Sequence, residues 1–215
     1  MSKKCSEHRT ISLISHPSKV LLTIILNRIK PGIEEILDDS QAGFRKDRST
    51  VEQILNLRLL CESQRNHQKN VFHNFIDFKK AFDRVWHEAL WHTMAKYNIN
   101  QGMTRLIQEL YENAKTTVMV GNNYSEWFES TVGVRQGCIL SPTLFNLFLE
   151  RIMQDALENF SGGIKCTGRV VNNLRFADDI DLIAEDAEEL AEITRRLDET
   201  SHRYGMEISA EKKVK

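Results

Sequence analysis

Two adjacent aspartates, Asp178 and Asp179, interrupt an otherwise apolar stretch, with Leu174, Phe176 and Ala177 before them and Ile180, Leu182 and Ile183 after. The flanks, Arg169 to Ala177 and Ile180 to Ala184, have the branched and aromatic content of strands. The pair therefore reads as the two-residue turn of a hairpin. Aspartates in a turn are ordinarily turn residues, because their short side chains bond nearby backbone and tolerate unusual dihedrals. Here, however, both flanking strands are apolar enough to be buried. Two carboxylates on a buried hairpin repel and raise each other's pKa unless a divalent cation neutralises them.

A third acid completes the pattern. Val71 to Phe78 is rich in aromatic and β-branched residues and predicts a buried strand running into Asp77. If that strand lies beside the hairpin in one sheet, three carboxylates meet. An oxygen-only set suits Mg2+, and two such ions can activate a hydroxyl and stabilise the leaving oxygen of a phosphoryl transfer. The residues thus point to metal-dependent nucleotidyl chemistry, which polymerases, nucleotide cyclases and some nucleases all share.

The remaining pattern mixes helices and strands without strict alternation, which predicts an α+β fold with an antiparallel sheet. Val20, Leu21, Ile24, Ile25 and Arg28 mark a helix that Pro31 kinks or ends, with its resumption over Ile33 to Leu37 left open. Ser40 to Asp47 is a polar, Gly43-containing loop or hairpin, and Ser49 with Glu52 forms a capping box for a helix whose face is Val51, Ile54, Leu55, Arg58 and Leu59. A helix over Met103 to Ala114, strands at Thr116 to Val120 and Trp127 to Val132, and an apolar helix opened by Ser141 and Pro142 follow. One more helix carries Leu190, Ile193, Leu197 and Tyr204.

With 41% hydrophobic residues the chain can bury a core. No run is long and apolar enough for a membrane span, so no membrane partner is expected, and the first residues lack a signal-peptide core. The scattered Cys5, Cys61, Cys138 and Cys166 indicate neither zinc nor disulfides and read as reduced, intracellular thiols. Net charge is −1, weak support for a phosphate-binding protein, yet it is segregated into a basic front (residues 1–70) and an acidic back (residues 176–211).

Five ordered segments, HRTISLIS, SQAGFRKDRST, FIDFKKAFDRVWH, GVRQGCILSPTLFNLFLE and FADDIDLIA, with YGMEISAEKK as a sixth, resemble the reverse transcriptase blocks of non-LTR (LINE-type) retrotransposons and, more distantly, of group II intron maturases. The resemblance implies a right-hand polymerase, with part of the fingers in residues 1–70 and the palm and remaining fingers elements in residues 71–215. Asp77 and Asp178 would ligate both Mg2+ ions, replaceable by Mn2+, with Asp179 supporting the site and Phe78 among the metal-binding positions. Phe82 would lie beneath the incoming sugar and exclude a ribose 2′-OH, although taken alone it reads as a core residue. Arg9, Arg45, Lys46 and Arg48 would grip triphosphate and template, Arg9 and Arg45 foremost, since Lys46 and Arg48 flank Asp47 as in an ordinary solvated loop. Gln136 would contact the nucleotide, Gly137 would admit a close backbone approach, and Lys212 would sit near the departing pyrophosphate.

The implied activity is addition of dNTPs to a DNA primer on an RNA template, acting in the nucleus. The rivals are a catalytically silent RNA-binding remnant and a palm-type cyclase, the latter leaving GFRKDRST and GVRQGCILSP unexplained. The resemblance covers no thumb, endonuclease or RNase H segment, so the chain reads as a fragment of a longer protein with a weak hold on primer-template. Filter binding is expected to show weak, salt-sensitive affinity, and tight salt-resistant binding would contradict this.

Overall fold

A computed structural model of the chain describes residues 11–112, 115–166 and 168–209. Its centre is a three-stranded antiparallel sheet in the order β1-β9-β8, formed by β1 (Phe72–Ile76), β8 (Asn173–Phe176) and β9 (Asp179–Ala184). The long apolar strand β9 takes the middle, where both edges are paired, and Ile180, Leu182 and Ile183 are almost fully buried. The condition set by the sequence, that the Asp77 strand lie beside the aspartate hairpin, is met.

One face of the sheet rests on helices. α5 (Ser141–Ala156) is apolar on nearly every side, and such a helix is stable only when surrounded. It packs against α1 (His16–Ile36), α3 (His87–Lys96) and α6 (Ala187–Arg203), with Leu144, Phe145, Leu147, Phe148, Leu149 and Ile152 all at 0% exposure. α6 is amphipathic: Ile193 and Leu197 enter the core while its acids face solvent, and the Asp186 side chain caps it by accepting from the Glu189 amide. α4 (Gln101–Glu112) packs on α3 and matches its expected span among the described residues.

The predicted helices are all present, joined by α3, which the sequence reading did not foresee; one of the two outcomes left open at Pro31 is excluded, and three expectations change. Pro31 does not end α1, which runs through it to Ile36. Pro31 and Asn27 are exposed, so the carbonyl that Pro31 cannot serve meets water, while Leu22, Ile25, Ile29 and Ile33 hold the helix to the core. In α2 (Thr50–Asn66), Ser49 caps the Glu52 amide as expected, but Val51, Ile54, Leu55 and Leu59 are solvent-exposed. The docked face is instead Gln53, Leu57, Leu60 and Gln64, because Gln53 donates to the Ser40 and Arg175 carbonyls and Leu60 packs on Ile164 and Ile183. The expected strand from Arg169 to Ala177 breaks at Asn172: β7 (Arg169–Val171) pairs with β6 (Ile164–Cys166), and only β8 joins the central sheet. Between α4 and α5 the two expected strands shrink to short ribbons, β2 (Lys115–Thr116) with β5 (Phe128–Glu129) and β3 (Met119–Val120) with β4 (Asn123–Tyr124).

A buried ion pair joins these layers. Arg175 of β8 and Glu150 of α5, both 2% exposed, meet at 3.1 Å, and Arg175 also donates twice to the Ser40 hydroxyl. Removing one partner strands the other charge in the interior. Arg175→Met is expected to cost about 3–5 kcal/mol. Adding Glu150→Leu should recover most of it, as read from urea unfolding midpoints; a double variant no more stable than the single would refute the account.

Candidate active site

The acids converge at one end of the sheet through strand register. Ile76 pairs with Ile180, so one step further sets Asp77 across from Asp179, a spacing of about 4.5–5.5 Å between Cα atoms in such ladders. The hairpin turn lies one residue earlier than the sequence suggested. Phe176 pairs with Asp179, and the two turn residues are Ala177 and Asp178. The reason is tertiary: Ala177 adopts φ 58, the positive angle a tight hairpin needs at its first turn position, and the surroundings hold it there. Asp178 is half-buried at the tip and Asp179 is exposed at the start of β9.

Asp77 follows β1 directly and is braced on its other side. Its carbonyl accepts from the Ser209 amide at 2.7 Å, Phe78 bridges Ile208, and the Lys79 amide donates to the Glu207 carbonyl. Residues 207–209, part of the sixth sequence block, thus run antiparallel to residues 77–79. The Glu207 carboxylate pairs with Lys79 and Arg84, and the Lys79 hydrogen bond holds its pKa below the usual carboxylate range.

The turn is clamped by the loop between α1 and α2. Gln41, 1% exposed, accepts the Ala177 amide at 2.9 Å on its Oε1 and donates from its Nε2 to the Ala177 carbonyl at 3.1 Å. The same Oε1 accepts the Gly43 amide, and the Gly43 carbonyl accepts from Asn146 of α5. A Cβ at Gly43 would stand 2.1 Å from the Ala177 nitrogen, so only glycine permits this approach. Sequence reasoning passed over Gln41, Asn146, Arg175 and Glu150. The visible signal was a glutamine two residues before a glycine in a polar loop.

The positions expected to face the nucleotide divide into those gathered around the turn that follows Asp77 and those used elsewhere. Phe82 lies in a 3-10 turn, Ala81–Arg84, soon after Asp77, and stacks on Phe145 with centroids 4.5 Å apart. The loop before α5 runs alongside: the Val134 amide donates to the Phe82 carbonyl, and Gln136 donates from Nε2 to Asp83 at 3.3 Å. Gly137 has φ 92, and a Cβ there would come within 3.2 Å of the Ser12 carbonyl. Arg45, by contrast, is committed to the fold, pairing with Glu34 and donating to the Asp38 and Gln41 carbonyls. Arg48 pairs with Asp39 and Glu52, and Lys46 is exposed. Arg9 and Lys212 lie outside the described residues.

Among the described residues no three His, Cys, Asp or Glu side chains are gathered closely enough to hold an ion. The backbone register nevertheless brings Asp77 and Asp179 face to face with Asp178 adjacent, and the oxygen-only donors suit a hard cation. A side-chain rotation changes carboxylate spacing, whereas register is fixed by the whole sheet. Two surface clefts, of about 500 and 540 Å3, are lined by other residues, among them Lys69 and Glu189 in one and Trp86 and Tyr204 in the other.

An antiparallel sheet on packed helices with acids at its end is a polymerase fold. It is shared with telomerase from Candida tropicalis in complex with a fragment of telomeric RNA (TM-score 0.68, 14% identity, covering 89% of this chain and 33% of that one) and with apo telomerase from the same organism truncated from its C-terminal domain (TM-score 0.62, 17% identity, covering 91% and 39%). The chain belongs to the reverse transcriptase (RNA-dependent DNA polymerase) family, whose model matches residues 1–215. It is 29% identical over 204 residues to the Pol polyprotein of the type-1 retrotransposable element R2 of Nasonia vitripennis, covering 95% of this chain and 20% of that protein. It is 35% identical over 143 residues to the probable RNA-directed DNA polymerase from transposon BS of Drosophila melanogaster, covering 66% and 16%. The chain therefore spans about a fifth or less of these relatives, which are non-LTR retrotransposon proteins.

The clamp on the turn is testable by stability. Gln41→Leu leaves the Ala177 amide and carbonyl buried without partners and is expected to cost about 1–3 kcal/mol. An unchanged urea midpoint would show that the clamp contributes nothing.

Proposed function

We propose that this chain is the fingers-and-palm part of an RNA-directed DNA polymerase, residues 1–70 contributing to the fingers and 71–215 the palm with the remaining fingers elements. It would extend a DNA primer on an RNA template with dNTPs, acting in the nucleus. The observation that carries the proposal is the convergence of Asp77, Asp178 and Asp179 at one end of the β1-β9-β8 sheet, in a chain matched along its whole length by the reverse transcriptase family.

In this reading Asp77, Asp178 and Asp179, with Phe78 beside them, hold two Mg2+ ions. Bound there, the ions would supply charge neutralisation for attacking and leaving oxygens in an in-line displacement. The chain's own residues do the rest. The Gln41 clamp fixes the turn that presents Asp178, so the backbone carrying the carboxylate is in place before substrate arrives and only its side-chain rotation remains to be set. Phe82, held flat on Phe145, offers a rigid apolar surface to the sugar, where a 2′-hydroxyl would clash and lose its water. Gln136 and Gly137, on the loop alongside the Phe82 turn, border the same space and would contact the nucleotide. Arg9, Lys46 and Lys212 would supply positive charge to the triphosphate, Lys212 as the proton donor to the leaving pyrophosphate. Arg45 and Arg48, being engaged within the fold, serve by fixing the loop that carries Gln41.

The test is dNTP incorporation on poly(rA) with an oligo(dT) primer in Mg2+ and in Mn2+, beside Asp178→Asn/Asp179→Asn. Loss of several kcal/mol of transition-state stabilisation corresponds to a rate drop of about 10²-fold or more in the double variant. Equal incorporation by both proteins would exclude these acids. No incorporation by either would favour a silent RNA-binding remnant.

A further inference from the structure

Phe82 is held from two directions. Phe145, fully buried in α5, covers one of its faces with an interplanar angle of 14°, and Phe44 meets it at 82° with centroids 6.2 Å apart. Near-perpendicular contact is a preferred aromatic geometry. Phe44 is unusual on two further counts. It is 50% exposed despite its size, and its φ of 57 lies in a region that bulky side chains rarely adopt. The backbone around it is fixed: Gln41 accepts the Gly43 amide, Asn146 donates to the Gly43 carbonyl, and the Arg45 guanidinium donates to the Asp38 and Gln41 carbonyls. Such a conformation persists only where the surroundings over-determine it. Its outcome here is an exposed ring set against Phe82 instead of one buried in the core.

We infer that Phe44 is a specificity-determining positioning residue, which holds the Phe82 ring in place and so sets how strongly the protein distinguishes a deoxyribonucleotide from a ribonucleotide. The inference rests on the proposed reading of Phe82 as the ring that meets the sugar. An aromatic barrier to a single hydroxyl works by position as much as by bulk, since a ring able to move to another rotamer opens the space it blocked. Phe145 fixes the plane of the Phe82 ring. Phe44 stands at right angles to that plane and restricts the remaining movement.

The experiment compares affinities for dATP and ATP opposite a template U, on a primer-template whose primer ends in a 3′-dideoxynucleotide, in Mg2+. The full chain is used as wild type, Phe82→Ala, Phe44→Ala and Phe44→Tyr. Wild type should prefer dATP, and Phe82→Ala should lose most of that preference. Phe44→Ala should lower the ratio roughly 2- to 10-fold, the range expected for one aromatic contact. The drop should come from tighter ATP binding with dATP affinity kept, and Phe44→Tyr should restore the wild-type ratio. A purely structural lesion would weaken both nucleotides together, and that outcome would overturn the inference. If Phe82→Ala relaxes selection while Phe44→Ala keeps the wild-type ratio, the positioning role is wrong and the reading of Phe82 stands. If Phe82→Ala leaves the ratio unchanged, or wild type binds the two nucleotides equally or not at all, that reading fails and the inference with it. Because Phe44 is half exposed, its truncation leaves the core intact, which unchanged thermal melts would document.

Discussion

The close approach of Gly43 to Ala177 is the contact on which the candidate site depends. A hairpin turn with a positive φ at a non-glycine residue is costly by itself, and the Ala177 methyl offers no hydrogen bond with which to hold that angle. The α1–α2 loop supplies what the turn lacks. Gln41 satisfies both polar groups of Ala177, and the missing Cβ of Gly43 lets the two backbones touch. Asn146 then ties Gly43 to α5, while the Glu150–Arg175 pair ties α5 to the strand that enters the turn. The position of Asp178 is consequently set by two segments distant from it in sequence, the α1–α2 loop and α5. A mutation in the α1–α2 loop would be felt at the acids without touching them.

The same loop connects the acids to the aromatic cluster. Gly43 meets the turn and Phe44 meets Phe82, so adjacent residues report on the metal-facing and sugar-facing parts of the proposed site. Residues 207–209 brace the opposite side of Asp77. The sheet end is thus enclosed by main-chain pairing on one side and by the loop on the other, and its acids emerge between them. Backbone pairing is suited to this task because it fixes position without competing for the carboxylates.

Periodicity and local chemistry made the helices other than α3 and the three acids legible, because each signal lies within one short segment. α5 was readable from its uninterrupted apolar character and α6 from its single apolar stripe. What escaped was decided between segments. In α2 the apolar stripe at Val51, Ile54, Leu55 and Leu59 looked like the buried face, yet two glutamines on another face, Gln53 and Gln64, turn toward the sheet with Leu57 and Leu60. A stripe shows that a helix has an apolar side and does not say which side meets the core. The turn was misplaced by one residue for a related cause: aspartate has the better turn propensity, but Gln41 makes the alanine conformation affordable. The pairing that fixes Arg45 was equally hidden, since its partners lie in α1 and in main-chain carbonyls.

Charge needs the same correction. The basic front of the chain suggested a surface for phosphate, and a count of Lys and Arg is the usual first measure of such a surface. Several of those groups are engaged within the protein: Arg45 with Glu34, Arg48 with Asp39 and Glu52, Arg58 with Glu62, and Lys69 with Glu185. An arginine that bridges to a carboxylate adds little net field, and one whose donors are spent on carbonyls offers phosphate no hydrogen bonds. At these four positions the charge left for a phosphate is therefore smaller than composition implies. What composition records as a binding surface is, at Arg45 and Arg48, engaged in holding the loop that carries Gln41.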